Sequence, residues 1–278
     1  MNKVKQSFTL VEILVVIVII GILSSFIFFT INDSVEKASI AKSKMFSESI
    51  RNNLLLNLVS EWKLDGDMND SWGSNNGTPY NFPATPWKTE TECISGTCLE
   101  FDGVDDYISC GDDGSLKSVN NLTISVWVKP LTNVGYGRIL SNRATSDGYE
   151  ISTSPSDGYI YWISNNANLM EVYAGLNQEK WTYIVFTLED GNLIFYLNGI
   201  FANDSNSVVV NSIIHPLYIG QSYGTADRFF NGFMDEIEIY SAVISETAIK
   251  QNYLSGLNNL YGKGLISKAE YDEKIAFE

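Results

Sequence analysis

The pattern of apolar and polar positions divides the chain into three stretches. From Phe8 to Ile31 the residues that are not strongly apolar are Thr9, Glu12, Gly21, Ser24, Ser25 and Thr30. That run is long enough to cross a bilayer as a helix of about 20 residues. Beyond it, residues 32–58 contain no Pro or Gly. Val35, Ala38, Met45, Phe46, Ile50 and Leu54 recur there at helical spacing, while Glu36, Lys37, Lys42, Lys44, Glu48 and Arg51 take other faces. The pattern predicts one helix over 8–58, roughly 75 Å long at 1.5 Å per residue. At Val59 the helical period gives way to short runs rich in Ile, Tyr, Phe and Val. Asp157-Gly158, Asp190-Gly191 and Asn198-Gly199 punctuate them, and such dipeptides supply the positive φ of tight hairpin turns. WTYIVFTL, NLIFYL and IFAN predict a three-stranded meander, YEIST and YIYWI a hairpin, and NLTISVWV a strand closed by Pro130. Many short strands without intervening helices predict an all-β sandwich or jelly roll. Ser245 is expected to cap a short helix that Gly256 ends, and Ser267-Lys268-Ala269-Glu270 is a capping box for a helix in the tail.

Glu12 is the odd residue of the first run, because an unpaired carboxylate in a membrane span costs roughly 2.5 kcal/mol or more and marks function. An amine freed at Phe8 by a cut after Ser7 would be its natural partner. A secretory signal peptide does not fit, since its apolar region runs roughly 7 to 15 residues and ends at a small-residue cleavage site. In FTLVEILVVIVIIGIL, with Lys3 and Lys5 ahead of it, the chain resembles the leader of type IV pilins and pseudopilins. The resemblance implies removal of residues 1–7 by a prepilin peptidase, N-methylation of Phe8, and assembly with other pilin subunits through Glu12. It also implies a precursor held in the cytoplasmic membrane and a mature chain in an extracellular pilus or at the cell surface. The chain departs from the family pattern in two places: Ser7 stands where Gly usually precedes the cut, and the pair Phe28-Phe29 stands where a Pro is common.

A second resemblance covers about Val59 to Gly256. LVSEWKLDGD, CLEFDGVDDYISC, NLTISVWVKP, LIFYLNG, LYIGQS and FNGFMDEIEIYSAVISETAI look like successive strands of a laminin-G-like, concanavalin A-like jelly roll. The expected organisation is therefore a leader at 1–7, a transmembrane and assembly helix at 8–58, a jelly-roll head at 59–256, and a helical tail at 257–278. That tail reads either as a docking module or as a hairpin packed on its own head.

Composition narrows the partners. With 45% hydrophobic and 13% aromatic residues the chain can bury the core of one domain. Its net charge is −15, and loss of Lys3 and Lys5 with the leader takes it to about −17. That sign argues against nucleic acid at the head, where binding is driven by Lys and Arg neutralising phosphates. Cys93, Cys98 and Cys110 allow three single pairings. The turn Ile94-Ser95-Gly96-Thr97 makes a local bridge sterically open, and Cys93–Cys98 with Cys110 free is the expected pairing.

In MDEIEIY, strict alternation puts Asp235 with Ile237 and Ile239, and Glu236 with Glu238 on the opposite face. A buried Asp235 needs a cation or several hydrogen bonds. The jelly-roll resemblance implies a structural calcium held by Asp235 together with groups near Asp65 and near Asp102-Gly103; backbone N–H donors are the alternative. Some glucanases of this fold use acids on one strand, but a retaining pair needs carboxyls about 5 to 5.5 Å apart. Residues two apart on a strand stand about 6.5 to 7 Å apart, so the chain is read as non-enzymatic. For a sugar, the loops YWISNNANL and GQSYGTADRF offer Tyr161, Trp162, Asn165, Asn166, Gln221, Tyr223 and Arg228. The sequence thus predicts a pilin-like filament subunit displaying a lectin-like head for adhesion or glycan binding. A pseudopilin of a secretion or DNA-uptake system and a surface-tethered glycosidase are the competing readings.

Overall fold

The computed structural model describes residues 10–11, 14–22, 54–131, 136–144, 146–154, 158–165, 167–176, 179–223 and 227–276. Ser7, Phe8, Glu12 and Asn166 lie outside the described residues, as does most of the helix expected over 8–58. The chain divides into two compact units, residues 1–52 and 53–278. In the first, residues 14–22 are helical. Among the described residues no helix is long and apolar enough to cross a membrane.

The second unit is a sandwich of two antiparallel sheets. One runs β13-β12-β11-β6-β15-β4-β3, from Ile200–Ser205 (β13), Asn192–Leu197 (β12), Thr182–Glu189 (β11), Asn121–Pro130 (β6), Asn231–Tyr240 (β15) and Cys98–Asp102 (β4) to Trp87–Lys88 (β3). β1 (Leu58–Trp62) pairs with the far half of β15. The other runs β10-β9-β8-β7-β14-β5-β2, from Ala167–Tyr173 (β10), Tyr159–Ser164 (β9), Tyr149–Ser154 (β8), Gly137–Ser141 (β7), Tyr218–Ile219 (β14) and Tyr107–Ser109 (β5) to Thr78–Tyr80 (β2). β11–β12–β13 is the meander and β8–β9 the hairpin that their turn dipeptides predict.

The two inner faces close on Trp62, Phe101, Ile108, Ile124, Ile151, Trp162, Phe186, Phe195 and Ile237 among others. The outer face of the β15 sheet is covered as well. There α1 (Glu246–Gly262) lays Ile249, Tyr253, Leu257 and Leu260 against Trp127, Tyr183, Val185 and Tyr240. Ser245 caps α1 by accepting from Ala248 N–H. Gly256 does not end this helix, contrary to the sequence expectation. It sits against Trp127, where a Cβ would stand 2.4 Å from the ring, so the residue serves a close approach. α1 consequently runs across the boundary expected at 256/257. After a turn through Gly264, Ser267 caps α2 (Lys268–Ile275), whose Tyr271 and Ile275 pack on the same outer cluster.

Candidate functional site

Strand β15 departs from strict alternation. Its register against β6 shifts between Asp235 and Glu238, and Glu236 at the shift has φ +48°. The extra residue of a bulge reverses which face the preceding residues point to. Met234, Ile237 and Ile239 therefore enter the inter-sheet core, while Asp235 and Glu238 turn to the outer side. The expected grouping of Asp235 with Ile237 is corrected on that ground. Asp235 is fully buried even so, under the loop that Cys93 and Cys98 close with a disulfide. Its Oδ2 accepts from Ile94 N–H at 2.8 Å and Ser95 N–H at 3.1 Å. Burial, and then the neighbouring Glu236, push the Asp235 carboxyl well above the usual range.

The residues proposed from sequence for one calcium do not converge. Asp65 binds the same loop from another side, its Oδ1 accepting from Thr97 N–H at 2.8 Å. Asp102 pairs with Asn231, four residues along β15 from Asp235, and Gly103 follows it away from Asp235. Both N–H donors fall on Oδ2 of Asp235, and its buried Oδ1 makes no hydrogen bond among the described residues. Asp102 and Gly103 thus stand apart from Asp235 and Asp65, which both bind the 93–98 loop. Among the described residues the acids with metal-ligand spacing are Asp102, Asp105 and Asp106. In that turn Asp102 Oδ1 accepts from Val104 N–H and Asp106 Oδ2 from Asp102 N–H. Burial and the adjacent acids Asp102 and Asp105 push Asp106 up to about 6.

The outer face of the β7–β8 sheet is buried at its centre and exposes rings at its two ends. Alternation sends Ile108, Ile219, Leu140, Ile151, Ile160 and Trp162 inward, and their strand neighbours outward. At one end Tyr80, Tyr107 and Tyr218 stand side by side from three adjacent strands, with ring centroids 4.6 and 5.7 Å apart. Tyr223 extends the row, 6.2 Å from Tyr218, and stacks on His215 at 4.1 Å. At the other end Tyr159 lies 5.4 Å from Tyr173 and 6.1 Å from Tyr161, and Tyr161 is 5.2 Å from Tyr136. The Arg228 guanidinium lies 5.1 Å from the Tyr136 ring.

Between the two aromatic ends the face is polar. Arg138 from β7 and Glu150 from β8 form a buried ion pair, Nε to Oε2 3.1 Å. Arg138 Nη1 also donates to the Asp227 carbonyl and to its Oδ1. Beside them Ser141 and Ser222 share a hydrogen bond of 3.1 Å between hydroxyls. The carboxyls here are occupied, Glu150 by Arg138 and Asp147 by His215 at 3.2 Å. What the two ends of this surface offer is rings and phenol hydroxyls, a set suited to hydrogen-bonding and packing a neutral polyol.

The sequence candidates are distributed over this face unevenly. Tyr161 and Arg228 come together through Tyr136, and Tyr223 joins the other aromatic end. Gln221 lies two residues before Tyr223 and is partly exposed. Asn165 is at the β9–β10 turn, where Nδ2 donates to the Val209 carbonyl and Oδ1 accepts from Asn211 N–H, so it ties two loops. Trp162 is withdrawn as a ligand contact: it points inward, stacked 5.0 Å from Tyr149 and 5.4 Å from Phe186. Tyr80, Tyr107, Tyr136, Tyr173 and the Arg138–Glu150 pair were missed. The spacing of Tyr159 and Tyr161 two apart was the signal within reach, since it puts two rings on one strand face.

Residues 102–250, more than half of the chain, match the model of the concanavalin A-like lectin/glucanases superfamily. The chain belongs to that superfamily. Residues 2–28 match the prokaryotic N-terminal methylation motif. Adhesion G-protein coupled receptor V1 of Danio rerio is 23% identical over 145 residues, 47% of this chain and 2% of the receptor. Among solved structures, domain 4 of AbnA, a GH43 extracellular arabinanase from Geobacillus stearothermophilus in complex with arabinotriose, superposes with TM-score 0.59 at 21% identity. It covers 70% of this chain and 97% of that one. The ligand binding domain of botulinum neurotoxin serotype D, in complex with N-acetylneuraminic acid, gives 0.59 at 16% identity over 75% of this chain and 53% of its own. The binding domain of Paraclostridial Mosquitocidal Protein 1 gives 0.56 at 17%, over 74% and 53%. At these identities the solved structures establish that the concanavalin A-like head has their fold.

Proposed function

We propose that this chain is a type IV pilin-like filament subunit whose concanavalin A-like head binds an extracellular glycan without turnover. The observation that carries the reading is one chain bearing both a methylation motif at 2–28 and a lectin-type fold at 102–250. In this reading a prepilin peptidase cuts between Ser7 and Phe8, Phe8 is methylated, and a helix over 8–58 anchors the precursor and assembles with other pilins. Glu12 pairs with the Phe8 amine of a neighbouring subunit, an attraction strengthened by low dielectric. The head is then displayed in many copies, so that weak single sites gain avidity by repetition. Support for a sugar ligand comes from the tyrosine-rich outer face of the β7–β8 sheet and from the arabinotriose and N-acetylneuraminic acid in complex with two structural neighbours.

Two measurements test the proposal. The mature chain from a host with an active prepilin peptidase should begin at Phe8 by mass spectrometry and carry a methyl group; retention of Met1 would refute processing. Filaments of the full chain on a glycan array should bind a restricted set of sugars, with no reducing ends released. Replacing Tyr80 and Tyr223, or Tyr136 and Tyr173, by Ala should reduce binding at least about tenfold at whichever end holds the sugar, since losing about 1.4 kcal/mol is tenfold. Undiminished binding by both double variants would remove this face as the site.

A further inference from the structure

The bulge in β15 has a second product, away from the tyrosine face. A cavity of about 190 Å³ lies between the outer side of β15 and helix α1. Glu236 and Glu238 line one wall. Asn252, Ser255 and Asn259, on one stripe of α1, line the other. Trp127 and Tyr183, their rings 5.0 Å apart, are buried at its inner end, while Ser255 and Asn259 are exposed at its mouth.

Three features of this cavity call for an occupant. Among the described residues no basic side chain forms an ion pair with Glu236 or Glu238, and Lys63 is instead 3.6 Å from Glu61 Oε2. Burial and the neighbouring Glu238 push Glu236 up to about 7, and burial pushes Glu238 up as well. The Tyr183 side chain is 2% exposed, and its hydroxyl, with Ser125 and Asn252 as polar neighbours, makes no hydrogen bond of good geometry among the described residues. Buried hydroxyls are ordinarily paired, and one left over beside a cavity points to a missing partner.

We propose that this cavity binds an ammonium group carried on a short organic stem. The two carboxyls supply the charge, and the Asn and Ser stripe and the Tyr183 hydroxyl accept its hydrogen bonds. The volume is below the roughly 300 Å³ at which drug-sized pockets begin, so an oligosaccharide does not enter. The inference does not depend on the glycan reading, whose residues lie on the other sheet.

The test is calorimetric titration of the purified full chain in detergent with matched probes: ethanolamine against ethylene glycol, glucosamine against N-acetylglucosamine, and calcium chloride. The ammonium member of each pair should bind with a Kd near 1 mM, about −4 kcal/mol, and its neutral twin at least about tenfold more weakly. Binding of ethanolamine alone would assign a free small amine, and binding of both an amine tolerant of a sugar stem; each supports the proposal. The isosteric pair Glu236→Gln with Glu238→Gln should abolish the preference. Because altering buried groups can perturb folding, Ser255→Lys serves as a second variant: its own ammonium reaches the acids, so external amines should lose affinity while the melting temperature holds or rises. Equal binding of charged and neutral twins, a preference that survives the double Gln variant, or a calcium site lost in that variant without any amine preference would each overturn the proposal.

Discussion

Glu236 shows how one residue can carry an unfavourable backbone and an unfavourable charge together. Its φ of +48° is in a region that non-glycine residues rarely adopt, and its carboxyl titrates near 7 through burial and the charge of Glu238. A carboxyl whose folded pKa is raised binds more protons folded than unfolded, so its contribution to stability is full below about 4.5 and is lost as pH rises through about 7. Chemical denaturation of the chain between pH 5 and 8 should show stability falling with pH, and Glu236→Gln should flatten that slope; a slope unchanged by the variant would contradict the assignment. Asp235, raised in the same direction, also anchors a loop, since its Oδ2 is the acceptor for two backbone donors of the 93–98 segment. Asp235→Ala should cost about 1–3 kcal/mol by leaving those N–H groups buried without partners, measurable as a shifted urea midpoint. Neither role was legible from the strand's alternating letters. MDEIEIY scans as a regular strand, and a bulge is fixed by the fit of β15 against β6, which a single strand's sequence does not carry.

Among elements, the strands and turns were legible because their signals are local: Asp190-Gly191 and Asn198-Gly199 join β11 to β12 and β12 to β13 with positive φ at all four residues. Gly256 was misread because a helix-ending glycine and a glycine under a tryptophan look alike in sequence. The distinction can be measured. Helix propensity alone favours Gly256→Ala by about 1 kcal/mol, but Trp127 is held between Tyr183 and Tyr253 and has little room to yield. Overpacking of about 1–3 kcal/mol should win, giving a net loss detectable as a lowered melting temperature. The disulfide loop is a separate element, and closing so short a segment is worth about 2 kcal/mol in the chain-entropy description. Cys93→Ser should therefore destabilise the head by that order, and combined with Asp235→Ala should do so non-additively, since both act on one loop.

At the scale of the whole molecule, the two-sheet architecture and its covering helices followed from strand spacing and from the resemblance, whereas the tyrosine face did not. Its rings come from β2, β5, β9, β10 and β14 and from two loops, which only the strand order brings side by side. The placement of Trp162 failed for a related reason: a tryptophan beside a tyrosine in a strand must point the other way, and the core took the larger ring. Cys110 is 3% exposed, lies beneath β5 and β14, and holds its place through a backbone bond to the Leu217 carbonyl. Burial raises its thiol far above the usual range, so in the folded chain it is shielded from reagents and nearly devoid of thiolate. A maleimide added to the intact protein would therefore react only when the sandwich parts, and its rate of uptake is a clock for that opening. On filaments of the kind proposed, the same clock would time the opening of the head in place, with no mutation needed.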